Sequence, residues 1–227
     1  MLIDHIGMIL FPEIKILRII GRLAFPIFAF MISKGFKYTK NKGKYFLTIF
    51  ITGCVFQIMF SIITNSFLLN ILLTFSVSII LLITLQEYKR VLFSKKSTNR
   101  DKIQATFLFM IIYLVFFIFN ENFTFDYGVF GCLLPVFASL FTPPKLEKSN
   151  LNKRAENTIF YLNLLTFSIG LLILSIFLKG IQYYSLISII LLLFYSGQRG
   201  KANLKYFFYI FYPVHLTILF IIKVLFF

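Results

Sequence analysis

The chain has 227 residues, of which 59% are hydrophobic and only 14% charged, with a formal net charge of +15. A soluble domain of this size is near half apolar and a quarter charged, so there is too little polar surface to coat a water-soluble globule. Thirty-two Phe, 12 Tyr and no Trp leave Tyr as the interfacial aromatic, as an aromatic belt requires.

In chain order, the apolar runs are 1–12, 16–33, 46–64, 67–85, 103–119, 127–141, 158–178, 181–195 and 206–222. Isolated strands of this length do not cross a bilayer, so the runs read as helices. The expectation is an all-α fold: a polytopic transmembrane helical bundle of about eight or nine spans, one membrane domain over residues 1–227. The runs 127–141 and 181–195 are short for a span and would need flanking residues or a locally thinned bilayer. The first run, MLIDHIGMILFP, is shorter still. Twelve helical residues reach about 18 Å against a hydrocarbon core of about 30 Å. It is either a half-span covered by neighbours or the remainder of a longer helix; truncation is the expectation. An acid and no basic flank argue against a cleavable signal peptide.

Charge is distributed by loop. Residues 34–45, 86–102, 142–157 and 196–205 carry five, six, four and three Lys or Arg. The intervening loops at 65–66, 120–126 and 179–180 hold one Lys and two acids between them. Basic loops face the cytoplasm, which places them inside and the C-terminus outside, in a bacterial inner membrane. A nucleic-acid patch would not produce this alternation, so no nucleic-acid partner is expected; the partner is the lipid bilayer. Cys54 and Cys132 lie in apolar runs and read as small apolar fillers.

Ionisable groups within spans are costly and mark function. They are Asp4, His5, Lys15, Arg18, Arg22 and His215, and they include both histidines of the chain. On the insertion scale, the two arginines of 16–33 cost roughly 5–7 kcal/mol and its ten Leu, Ile and Phe return roughly 3–6. Those arginines need partners. Lys15, Arg18 and Arg22 share one helix face. Folding the first two runs into a hairpin about Pro12 and Glu13 sets Asp4 opposite Arg22, with His5 one step nearer the turn. His215 lies at a similar depth in the last run. Snorkelling of Arg18 to the outer headgroups is the plain alternative for that residue. Pro213 frees the carbonyl of Tyr209 and Pro26 that of Arg22, so kinks stand beside the polar groups.

A His beside a carboxylate can be held in one tautomer and act as a general base, and Arg can stabilise an oxyanion or a phosphate. No His-x3-His or HExxH spacing supports a metal site. A proton-coupled carrier using the same residues as a relay, and a non-enzymatic assembly protein, are the competing classes.

MLIDHIG, followed by RIIGRLAFPIFAFMISKGFKYTKNKGKY, resembles the opening signature of the TraX family of bacterial membrane proteins. FDYGVFGCLLPVF at 125–137 resembles its middle, and FFYIFYPVHLTILFII its end. The resemblance covers essentially the whole chain and extends loosely to the wider membrane acyltransferases. It implies an acetyltransferase that uses acetyl-CoA as donor and modifies an amine, such as the amino terminus of conjugative pilin, with an intramembrane His. Carried over, it implies catalytic roles for His5, Asp4 and His215, and substrate binding by Arg18, Arg22 and Tyr212, with Tyr212, Pro213 and His215 matching a Tyr-Pro-x-His element. His5, oriented by Asp4, is the expected base; His215 is a second base or a substrate hydrogen bond; Arg22 serves the oxyanion or pairs Asp4. The basic loops 34–45 and 86–102 are candidates for the phosphates of acyl-CoA. The chain departs from the family at its start, where members carry a further apolar stretch before the doublet.

Overall fold

A computed structural model describes residues 1–64, 68–144, 152–197 and 205–226. The expected loop at 65–66, and parts of the basic segments 142–157 and 196–205, lie outside the described residues. The described structure is helical: α1 (Leu2–Ile9), α2 (Lys15–Gly21), α3 (Ala24–Tyr38), α4 (Lys42–Thr64), α5 (Ile71–Phe93), α6 (Asn99–Asn122), α7 (Gly128–Phe137), α8 (Lys153–Leu178), a 3-10 helix (Gly180–Ile187), α9 (Ser188–Leu193) and α10 (Lys205–Phe226). The all-α expectation holds.

Four helical segments are long and apolar enough to cross a membrane: Lys15–Tyr38, Ile71–Phe93, Asn99–Glu121 and Lys153–Leu178. The runs had suggested eight or nine spans. Several fold short, for visible reasons. α1 has eight residues, about 12 Å at 1.5 Å per residue. The run 16–33 is interrupted at Arg22 and Leu23, just where Pro26 cannot donate to the carbonyl of Arg22. The run 127–141 yields a ten-residue helix that begins after left-handed Tyr127 and Gly128. The run 181–195 starts with left-handed Lys179 and Gly180 and winds as a 3-10 helix before α9.

The contacts divide the chain into two compact units. Ala29–Gly170 is built around α5, which packs on α4, α6 and α7. Ile79, Leu81 and Leu82 of α5 are sealed in its core. Asn70 caps α5 by accepting from the backbone N–H groups of Leu72 and Leu73, and Thr98 with Asp101 forms a capping box on α6. α6 is apolar all round yet exposes Phe107, Leu108, Met110, Ile111 and Leu114. Such a helix is at home in a bilayer. The other unit, Met1–Phe28 with Leu171–Phe227, packs α1 on α2, α10 on α1, and the 3-10 helix on α2 and α9.

Candidate functional site

Asp4, His5, Arg18, Arg22, Tyr212 and His215 all belong to the unit Met1–Phe28 with Leu171–Phe227. Its geometry starts from two glycines. A Cβ on Gly7 would stand 2.8 Å from Leu17 Cβ, and one on Gly21 would collide with the Cα and Cβ of Asp4. With hydrogen at both positions, α1 and α2 approach backbone to backbone, as small residues allow in membrane helix pairs. That approach brings the carboxylate of Asp4 onto the basic face of α2. Both Asp4 oxygens accept from Arg22 Nη2 at 3.1 Å, and Arg18 Nε stands 3.2 Å from Asp4 Oδ1. Asp4 is buried, as the hairpin expectation required. Lys15, on the same face of α2, is exposed and stands apart from this cluster.

The neighbouring imidazole turns to the other end of the chain. His5 Nδ1 lies 2.8 Å from His215 Nε2, and the two rings stack with centroids 5.0 Å apart at 20°. On its far side His215 stacks on Phe211, at 4.8 Å and 17°. Its Nδ1 is 2.6 Å from the carbonyl oxygen of Phe211. Tyr212 is buried and sets its ring edge-on to His215 at 5.8 Å, and tilted against His5 at 6.2 Å.

These contacts fix the protons. A carbonyl can only accept, so Nδ1 of His215 carries the hydrogen and donates to Phe211. In a neutral imidazole the other nitrogen is then an acceptor, so His215 Nε2 receives the hydrogen of His5 Nδ1. His5 Nε2 is therefore left with a lone pair, and among the described residues nothing donates to it. The arrangement is a relay: carbonyl, oriented imidazole, oriented imidazole, open base.

This corrects one expectation. Asp4 does not orient His5; its oxygens are occupied by Arg18 and Arg22, and successive residues on a helix point about 100° apart, so the doublet faces two partners. The orienting group is His215, which is thereby neither a free second base nor a free substrate contact. Of the two options for Arg22, the pairing with Asp4 is the one formed. Sequence reasoning missed the Phe211 carbonyl and ring, and the two glycines. Gly7 and Gly21 in otherwise large-residue runs were the available signal. Among the described residues no group of three His, Cys, Asp or Glu side chains could hold a metal ion.

The basic segments were the candidates for acyl-CoA phosphates. Lys37 and Lys89 line one small cavity with Ser139, Thr142 and Pro143. Lys89 is committed, since its ammonium donates to the carbonyls of Ser139, Leu140 and Thr142 at 2.6–3.1 Å. It caps the C-terminal end of α7.

Comparison with known proteins agrees with the motifs. A family model described as "TraX protein" matches residues 1–223. Uncharacterized protein RP591 of Rickettsia prowazekii (strain Madrid E) is 45% identical over 75 residues, covering 33% of this chain and 28% of that protein. Thus the chain spans under a third of the length of that relative. The Probable fimbrial assembly protein FimC, serogroup H1, of Dichelobacter nodosus is 25% identical over 240 residues, covering 96% of this chain and 89% of that protein. No solved structure matches. With a match from residue 1 to residue 223, the chain belongs to the TraX family.

Proposed function

We propose that the protein is an integral membrane acyltransferase that moves an acetyl group from acetyl-CoA to an amine, with His5 as general base. The open Nε2 of His5, held in one tautomer by His215 and Phe211, carries this reading. An acceptor amine that meets Nε2 gives up its proton as its nitrogen bonds to the thioester carbon. The positive charge that develops on His5 faces the lone pair of His215, which the Phe211 carbonyl backs. The carbonyl oxygen gains negative charge and needs a cation.

The ion cluster supplies one. It sums two arginines against a single carboxylate, a surplus of one positive charge. Arg18 is 23% exposed and meets Asp4 through Nε, and among the described residues it donates no hydrogen bond from its terminal nitrogens. That fork suits an oxyanion or a phosphate oxygen. Collapse breaks the C–S bond, and the departing thiolate takes the proton from His5, leaving an amide and free CoA. Tyr212, packed against both imidazoles, closes the site on its apolar side and contacts substrate.

The acceptor is a pilin amino terminus or a similar exposed amine, a reading that the fimbrial relative's name favours. The basic loops face the cytoplasm of the inner membrane, where acyl-CoA is supplied, and the C-terminus lies outside. The test is direct. Purified protein is incubated with labelled acetyl-CoA and a short peptide with a free amino terminus. Release of CoA with acetylated peptide is expected, falling roughly 10²–10⁴-fold in His5→Ala. A folded His5→Ala protein with undiminished transfer removes the proposal.

A further inference from the structure

Away from the imidazole pair, the same unit buries a second set of polar side chains. Gln182, Ser185 and Ser188 stand three residues apart along the 3-10 helix and the first residue of α9. A 3-10 helix has three residues per turn, so side chains at i and i+3 eclipse, and these residues form one stripe. The stripe faces inward: Gln182 is 3% exposed, and Ser185 and Ser188 are fully sealed. Ser175 of α8, also sealed, stands opposite. Its hydroxyl donates to the carbonyl of Leu171 at 2.8 Å and lies a long 3.4 Å from Ser185 Oγ.

Two groups on the stripe are left over. Gln182 Nε2 and Ser188 Oγ are both shut off from solvent, and neither makes a hydrogen bond within the described structure. A buried donor left unmade costs about 1–3 kcal/mol. Leu or Ala would fill the same space without that penalty. Buried waters commonly serve such groups, and in membrane helices ordered water takes over polar groups that the backbone does not satisfy.

We infer that the inner face formed by Gln182, Ser185 and Ser188 binds one uncharged oxygen, which accepts from Gln182 Nε2 and pairs with Ser188 Oγ. Its source is an internal water or the carbonyl of a bound amide. An ion does not fit, because the stripe offers only neutral dipoles and no countercharge. The inference stands apart from the acyl-transfer reading, since neither residue touches the imidazole pair or the ion cluster in any contact described.

Thermal unfolding in detergent tests it, with wild type, Gln182→Met, Ser188→Ala and the double variant, each with and without glycinamide as an amide probe. If water is the occupant, each single variant unfolds at lower temperature without the probe. The double variant then loses less than the two singles together, because either substitution vacates the shared oxygen. If a bound carbonyl is the occupant, the variants match or exceed wild type without the probe, and glycinamide raises the wild-type transition but not theirs. Strictly additive losses overturn the inference. So do variants that match or exceed wild type when glycinamide leaves the wild type unmoved. Because Gln182→Met keeps length and volume, Ser188→Ala alone gives the same readouts should the methionine variant not fold.

Discussion

The two units handle buried polarity in opposite ways. In Ala29–Gly170, polar side chains are answered mainly by backbone or by neutral neighbours. Ser78 donates to the carbonyl of Cys132 at 2.8 Å, Thr74 to that of Asp126 at 3.1 Å, and Asn70 to Gly53 and Gln57 at 2.8 and 2.9 Å. Even the cation Lys89 is absorbed by three carbonyls. In Met1–Phe28 with Leu171–Phe227, ionisable side chains meet one another: arginines with an aspartate, imidazole with imidazole. The first strategy ties helices together and leaves no group with spare reactivity. The second leaves a lone pair and a surplus cation. The difference separates a scaffold from a place where protons and charge can move.

Four substitutions probe this contrast, all read by unfolding in detergent. The largest effect is expected for Asp4→Ala. It strands two arginine cations, a loss of about 3–5 kcal/mol by analogy with broken buried ion pairs, discounted toward the lower value because the side chains are partly exposed. Gly21→Ala forces a methyl into the Asp4 backbone and is expected to cost about 1–3 kcal/mol, with transfer activity falling alongside because α1 carries the base. Lys89→Met removes a cation whose acceptors include carbonyls at the end of α7, and should cost about 1–2 kcal/mol while leaving His5 chemistry alone. A Lys89→Met loss exceeding that of Asp4→Ala would break the division drawn above. Thr98→Ala deletes an exposed capping box and is expected to cost about 0.5–1 kcal/mol.

How far the sequence reached depends on the distance involved. Asp4 and Arg22 were placed together because a hairpin about Pro12 and Glu13 makes residues equidistant from the turn face each other. That is a local rule, and the structure follows it. His5 and His215 were placed at one depth, but the rotation of α10 that brings their nitrogens to 2.8 Å has no local signal. The doublet misled, since adjacency in sequence suggested that Asp4 served His5. Helix type also escaped the pattern. The run 181–195 is apolar enough to look like a span, yet its serines and left-handed Lys179 and Gly180 make it a 3-10 turn followed by six residues of α9. The all-α class and the long helices α5, α6 and α8 were legible from run length alone.

The pairing of His5 with His215 joins residues 210 positions apart, whereas Asp4 and Arg22 are separated by 18. During biosynthesis the ion cluster can close as soon as α2 has left the ribosome, so the arginines enter lipid already neutralised. The base, by contrast, has no defined tautomer until α10 is inserted. Nascent chains interrupted anywhere before α10 are then well tolerated by the membrane and chemically silent, which keeps an acyl-consuming activity from starting ahead of a finished fold.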